Sequence, residues 1–237
     1  MTDRSLDGQL AVVTGASRGI GAAIAESLAG RGAHVVLTAR TAAGLEEVEQ
    51  RIFDAGGAAT IAPLDLTQTD AIAKLAAAVE GRWEALDLLV LNAATLGTLG
   101  SVPAIDPPEM ARVLTLNVSA QAALIAAFDP LLRRAPAGKV IGITSSVARE
   151  PRAYWGLYGA SKAAFETLVG AYGDEMGAIS RVRTAIIDPG ATRTTMRARA
   201  YPGEDPASVK EPRVVGERIA ELAIAGFENG QRERVNA

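Results

Sequence analysis

The chain has 237 residues, 49% of them apolar, with a formal net charge of −3, a single histidine and no cysteine. That apolar share supports a substantial core and excludes a disordered chain, and the mildly acidic balance gives no reason to expect nucleic acid or an anionic membrane surface as partner. Without cysteine there is no disulfide, thiolate nucleophile or Cys-based zinc site, and with His34 alone neither a metal cluster nor a Ser-His-Asp triad is expected.

The first seven residues carry no apolar signal segment, and no apolar stretch approaches the ~20 residues needed to span a bilayer, so a cytoplasmic protein is expected. Short apolar runs then alternate with alanine-rich helical stretches. Residues 10–13 read as a buried strand, followed by a glycine turn and a helix to about residue 28. His34 opens a second strand at 34–38, as a structural histidine at the strand mouth. A helix from about 43 to 54 is stopped by Gly56 and Gly57. The third strand covers 60–64, with Pro63 marking its end rather than its middle. Thr69 is expected to cap a helix to about 80, and residues 86–91 make strand four. Pro107 starts a long helix to about 132, residues 139–143 are strand five, another helix runs from Gly156 to about 177, and 182–187 is strand six.

Strands this short and apolar, set between helices, indicate a parallel sheet covered on both faces. The expected fold is α/β: a doubly wound, Rossmann-type parallel sheet in a single domain, with ligands outside the carboxyl ends of the strands. The segment 193–213, rich in arginine, proline and small polar residues, is too long for an ordinary connection and is expected to be a substrate lid. Residues 229–235 are a candidate seventh strand.

Gly15, Gly19 and Gly21 lie between the first strand and its helix, where missing side chains let backbone N–H groups and the helix dipole reach a pyrophosphate. Their spacing, G-x-x-x-G-x-G, differs from the common dinucleotide fingerprint and taken alone also suits a tight turn with close helix packing. Tyr158 and Lys162 stand four apart in Y-G-A-S-K, on one face of a helix. A phenol titrates near ~10, and a neighbouring ammonium stabilises its anion; bringing it to neutrality takes about 4 kcal/mol. Alone, such a pair also fits an ordinary solvated helix. Ser145 lies thirteen residues before Tyr158, with Ser146 beside it as a turn serine.

The T-G-x-x-x-G-x-G loop from Thr14, Asn92-Ala93-Ala94, Asn117, Ser145, Tyr158 with Lys162, and Asp188-Pro189-Gly190 occur in this order, and the whole resembles the short-chain dehydrogenase/reductase family across nearly the full chain. The resemblance implies that Gly15, Ser17, Gly19, Ile20 and Gly21 hold a cofactor diphosphate and the adjoining ribose. It likewise implies that Asp65 and Leu66 meet the adenine and that Asn92 and Ala93 lie against the adenosine ribose. Thr192, two residues after Gly190 in the Pro189 turn, would bind the nicotinamide carboxamide. Leu91 and Ala94 depart from the family's usual N-N-A-G, and Ala94 in place of glycine alters that turn slightly.

At the end of strand two the chain has Ala39-Arg40 where an NAD-preferring member usually carries aspartate, and Arg18 sits in the glycine loop. Two guanidiniums without a carboxylate suit a 2′-phosphate, so NADP(H) is expected over NAD(H). The implied chemistry is hydride transfer between the nicotinamide and an alcohol/carbonyl substrate. Tyr158 would act as general acid/base, with Lys162 lowering its pKa and holding the nicotinamide ribose. Ser145 would hydrogen-bond the substrate oxygen, and Asn117 would bend the long helix and keep a water linking Lys162 to solvent.

A homodimer or homotetramer through the helices beginning near Pro107 and Gly156 is also implied. Tyr154 and Trp155 either wall the substrate pocket or pack on the sheet rim; the arginines at 193, 197 and 199 either meet an anionic substrate or stay solvated. Two rivals share parts of the pattern: a catalytically silent dinucleotide-binding sensor or scaffold, which needs no tuned phenol, and a sugar-nucleotide epimerase or dehydratase, for which the stretch after Pro189 leaves little room.

Overall fold

Side chains on successive strand residues point to opposite faces of a sheet, and the first strand shows how this chain uses that rule. The structure, a computed structural model, describes residues 4–236. In β1 (Leu10–Thr14), Ala11 and Val13 enter one apolar cluster while Leu10 and Val12 enter another. The remaining strands are β2 (His34–Ala39), β3 (Ala58–Pro63), β4 (Leu88–Leu91), β5 (Lys139–Ile143), β6 (Arg183–Asp188) and β7 (Gln231–Arg234). They form one sheet in the order β3-β2-β1-β4-β5-β6-β7, with every pairing parallel. The direction of winding reverses between β1 and β4, which makes the carboxyl ends of those strands the expected ligand crevice. The candidate seventh strand is present, and Pro63 closes β3 as expected.

The helices are α1 (Gly19–Gly30), α2 (Ala42–Asp54), α3 (Thr69–Glu80), α4 (Pro107–Leu114), α5 (Ala120–Arg134), α6 (Gly156–Ile179), α7 (Thr195–Ala200) and α8 (Pro212–Ala225). Ile24 and Leu28 of α1, Leu45 and Val48 of α2, and Val215 and Ile219 of α8 cover one face of the sheet. Ile72 and Val79 of α3, Leu124 and Phe128 of α5, and Phe165 and Val169 of α6 cover the other. The two faces are thus closed by helices in the way the apolar strands require.

Four details differ from the sequence-based expectation. Gln68, not Thr69, occupies the N-cap position of α3. β4 begins at Leu88: the Asp87 N–H donates to the Leu10 carbonyl while its carboxylate accepts from the Leu10 N–H at 2.8 Å, so a side chain takes the place of the ladder there. The helix α8, whose Val215, Ile219 and Leu222 are buried, has no counterpart in the reading of the sequence.

The fourth concerns length. α4, a π-helical turn at Thr115–Ser119 and α5 form one run, Pro107–Arg134, of 28 residues, which contains an 18-residue stretch of mean hydropathy 1.4 and is long and apolar enough to cross a membrane by length and composition. This corrects the expectation that no stretch approaches that length. In the fold, its Leu124, Phe128 and Leu132 are fully buried against the sheet as a core helix.

Segment 193–213 is not structureless. It contains α7 and a 3-10 turn, and its base is tied by a parallel bridge between Thr192 and Lys210 and by a 2.8 Å bond from the Arg193 N–H to the Lys210 carbonyl.

Candidate active site

The crevice is built first from backbone. The Thr14 hydroxyl donates to the Val90 carbonyl at 3.1 Å and accepts from the N–H groups of Asn92 (2.9 Å) and Ala93 (3.1 Å). The Asn92 amide donates back to the Thr14 carbonyl at 2.8 Å, so the ends of β1 and β4 are stitched together. Gly15 turns there at φ +67°, a conformation that disfavours any side chain. A side-chain carbon at Gly21 would stand 2.3 Å from the Gly15 carbonyl oxygen and 2.5 Å from the Asn92 amide nitrogen. The loop therefore closes tightly onto the start of α1 only because glycine is there.

Arg18 occupies the N-cap of α1 and its side chain does not cap the first-turn N–H groups. Such a helix start, with its positive dipole end and bare backbone, fits an anionic diphosphate. Ser17 packs against Gly44 of α2, Ile20 packs against the first core cluster, and Leu66 is buried. Arg18 and Arg40 are both exposed, and among the described residues neither makes a hydrogen bond or salt bridge. The Asp65 carboxylate accepts from the Thr67 N–H (3.0 Å) and hydroxyl (2.8 Å), and these bonds hold it below the usual carboxylate range, helped by the charge of Arg40.

The second part is made of side chains. Tyr158, Lys162 and Glu166 recur every four residues on α6 and all three are buried. The Lys162 ammonium donates to the Ile143 carbonyl at 2.8 Å and lies 6.0 Å from the centre of the Tyr158 ring. Burial pulls its pKa down to about 8, against the opposing charge of Glu166. For Tyr158 the direction is the reverse of the sequence-based expectation: burial, with the Asp188 carboxylate adding to it, pushes the phenol above its ordinary range. The ammonium is engaged by the end of β5, and a phenolate in this wall would lose its hydration.

Ser145 follows β5 in extended conformation and begins the 3-10 turn Ser146–Ala148. The Ser146 hydroxyl accepts from Arg152 at 3.0 Å, in keeping with a turn serine. Asn117 lies in the π-helical turn, where the long helix was expected to bend. Its side chain pairs with both backbone groups of Thr95 at 2.8 Å and donates to the Ser161 hydroxyl at 3.0 Å, which in turn donates to the Tyr158 carbonyl at 2.7 Å. One asparagine thus joins the loop after β4 to the Tyr158 turn of α6. At the end of β6, Asp188 accepts from the Gly190 N–H at 2.9 Å, and the buried Thr192 hydroxyl donates to the Pro189 carbonyl at 3.0 Å.

The structure also brings in residues that the sequence reading passed over. Glu166 accepts from Thr144 (2.8 Å) and Arg149 (2.9 Å) and pairs with Arg232 of β7, fixing the strand end directly before Ser145. Burial pushes the Glu166 carboxyl up, but the bonds from Arg149, Thr144 and Arg232 outweigh it and hold the group low. Gln121 of α5 donates to the Ala93 carbonyl at 3.0 Å and so steadies that loop. The four-residue spacing from Tyr158 through Lys162 to Glu166 was the available signal for the first; nothing local marked the second.

A family model for the short chain dehydrogenases matches residues 9–205. The uncharacterized oxidoreductase YciK of Escherichia coli (strain K12) is 36% identical over 210 residues, covering 87% of this chain and 82% of that protein. Among solved structures, a short chain dehydrogenase from Pseudomonas syringae superposes with a TM-score of 0.95 at 38% identity, over 99% of this chain and 97% of that one. Another, from Escherichia coli CFT073 and complexed with NADPH, has a TM-score of 0.93 at 33% identity over the full length of both chains.

Proposed function

The chain belongs to the short-chain dehydrogenase family, and from that premise we propose that it is an NADP(H)-dependent oxidoreductase interconverting an alcohol and a carbonyl, with Tyr158 as the group that gives or takes the proton. The observation that carries this reading is the meeting, at the carboxyl ends of the central strands, of a bare glycine cradle with a buried Tyr158–Lys162 pair. When bound, the nicotinamide dinucleotide supplies the hydride acceptor or donor. Gly15, Ser17, Gly19, Ile20 and Gly21 hold its diphosphate through the loop and the start of α1. Asp65 and Leu66 border the adenine, Asn92 and Ala93 the adenosine ribose, and Pro189, Gly190 and Thr192 the nicotinamide end.

Arg18 and Arg40 answer the 2′-phosphate. Both guanidiniums are exposed and, among the described residues, make no salt bridge, so a phosphate meets them without breaking an existing ion pair. Binding of NADPH by a relative of 33% identity over the full chain supports the same preference.

In the reducing direction Tyr158 donates its proton to the oxygen of the substrate as the carbonyl carbon accepts hydride. A phenol raised by burial stays protonated at neutral pH and still gives up its proton to an alkoxide, a far stronger base. Ser145 shares the developing negative charge, and Lys162 positions the ribose and carries charge beside the phenol. Asn117 acts as a positioning residue, holding the Tyr158 turn through Ser161. The segment 193–213 serves as the lid over this end of the crevice.

The test is a panel of aldehydes and ketones offered with NADPH and with NADH, followed at the absorbance of the reduced nicotinamide, with Tyr158→Phe in parallel. NADPH-linked turnover is expected, and the variant should lose at least about 100-fold in turnover while keeping its affinity for NADPH. Near-normal turnover in the variant would remove Tyr158 from the chemistry.

A further inference from the structure

Each polar or charged group that reaches the Tyr158 hydroxyl decides what substrate can stand there, and the wall around it is nearly all carbon. Tyr158 shares a buried cluster with Leu96 and Val147, against which Trp155, Met196 and Ala200 are packed. The Met196 thioether lies 4.0 Å from the hydroxyl itself. Trp155 meets the Tyr158 ring edge-on at 6.1 Å between centroids and lies 5.6 Å from the ring of Tyr201. α7 turns Met196 and Ala200, four residues apart, toward this cluster, while Arg199 is exposed.

Among the described residues, most of the nearby arginines are already engaged. Arg197 donates to Glu204 at 2.6 Å and stacks 3.7 Å from the centre of the Tyr201 ring. Arg193 pairs with Glu211, Arg149 with Glu166, and Arg152 with the Ser146 hydroxyl and Glu150. The Asp188 carboxylate adds to burial in pushing the Tyr158 phenol up, and the Lys162 ammonium, 6.0 Å from the ring centre, is held by the Ile143 carbonyl.

We infer that the substrate is an uncharged aldehyde or ketone carrying an aromatic or branched apolar group, and that carboxylate- or phosphate-bearing carbonyl compounds are rejected. The inference rests on the alcohol/carbonyl reading given above. In the committed step, hydride passes from the reduced nicotinamide to the carbonyl carbon, the C=O π pair moves to oxygen, and that oxygen takes the Tyr158 proton; the products are the neutral alcohol and oxidised cofactor, and solvent reprotonates the phenol. The apolar group of the substrate takes the place of Met196 beside the Tyr158 hydroxyl, so its burial exchanges one apolar contact for another. An anionic group in the same place would lose its hydration against apolar side chains, with Arg193 and Arg197 already paired and Arg199 exposed to solvent.

A matched pair of para-substituted benzaldehydes, 4-isopropyl and 4-carboxy, separates charge from reactivity. With NADPH in excess, kcat/KM is expected to favour the isopropyl compound by about 100-fold or more. Met196→Lys, which puts a cation into the wall, should narrow that preference at least tenfold without changing NADPH affinity. Trp155→Ala should raise KM for the isopropyl compound more than for propanal, and serves if Met196→Lys does not fold. Equal use of the two aldehydes, or preference for the carboxylate, overturns the inference. Calorimetric titration of both compounds into the enzyme–NADP+ complex reads the same discrimination without turnover. If no carbonyl is reduced although NADPH binds, the proposed activity fails, and the titration alone decides the substrate class: tighter binding of the neutral compound upholds it and equal binding refutes it.

Discussion

The two ends of the crevice are built by different means. At the proposed cofactor end the shape comes from backbone: glycines at positive φ, a helix start without a side-chain cap, and strand ends joined by Thr14 and Asn92. At the substrate end it comes from side chains in particular pairs: Met196 on Tyr158, Arg197 on Glu204, Glu166 on Thr144 and Arg149. A backbone site tolerates no added atom but is indifferent to most side chains nearby. A side-chain site accepts substitution and changes what it recognises. This contrast lets one architecture keep a fixed cofactor while its substrate end varies.

The hardest test of the contrast is Gly21→Ala. The new carbon would lie 2.3 Å from a carbonyl oxygen of the loop, and that oxygen belongs to backbone that cannot rotate away. Affinity for NADPH is expected to fall by at least about 100-fold, as a misplaced loop costs several charge-assisted bonds at once, each worth about 1.5–3 kcal/mol. Isothermal titration with NADPH checks it. A variant that binds normally would mean that the loop yields and that the backbone does not set this end.

Lys162→Met probes the opposite end through stability. The lysine is buried with a pKa near 8, lowered from 10.5. Between those values the unfolded chain binds a proton that the folded chain has released, so the wild-type protein gains stability as pH rises through this window. Methionine has no such titration. The stability of the variant relative to wild type is therefore greatest below pH 8 and should shrink by about 3 kcal/mol by pH 10.5. Denaturant melts at a series of pH values measure this, and a constant difference would show that the ammonium is not desolvated.

The same contrast explains what could be read from the sequence. Glycine positions, strand runs and the Tyr158–Lys162 spacing are local signals, and the sheet, its parallel order and the glycine turn followed from them. Pairings across distant segments leave no local mark. Glu166 meets Arg232 66 residues later, and Gln121 reaches back 28 residues to the Ala93 carbonyl. The helix α8 was hidden for a related reason: the proline- and arginine-rich stretch before it reads as loop, and the apolar spacing of Val215, Ile219 and Leu222 begins only after Pro212. The raised phenol of Tyr158 was beyond reach too, since spacing brings a lysine near but shows neither the burial of the hydroxyl nor the Asp188 carboxylate that push it up.

Arg40→Asp sharpens the comparison within the cofactor end, where a side chain rather than backbone sets a preference. Losing a charge-assisted contact to the 2′-phosphate costs about 1.5–3 kcal/mol, so the ratio of NADPH to NADH affinity should fall roughly 10- to 150-fold. Arg18 should give a smaller change in the same direction, since the loop backbone still holds the diphosphate. Dissociation constants for both cofactors decide it. An unchanged ratio would show that Arg40 turns away from the phosphate.

The smallest expected effect lies in segment 193–213, the proposed lid. Glu204→Gln keeps the shape of the side chain but removes the charge that fixes Arg197, and Arg197 in turn lies over the Tyr201 ring. The bridge between Thr192 and Lys210 holds the base of the segment independently, so the change should loosen α7 without releasing it. Amide exchange across 193–213 is expected to quicken by less than tenfold, an order of magnitude suited to a partly exposed ion pair. Wild-type exchange in the same segment should slow when NADP(H) and substrate are both present, as a closing lid requires. The freed Arg197 guanidinium should also lessen discrimination against 4-carboxybenzaldehyde, since Arg197, which is less exposed than Arg199 on the same helix, then loses the carboxylate that holds it. Exchange that is identical in the variant and in every ligand state would make this segment a rigid wall, shaped by the Thr192–Lys210 tie alone, and its arginine pair irrelevant to what enters.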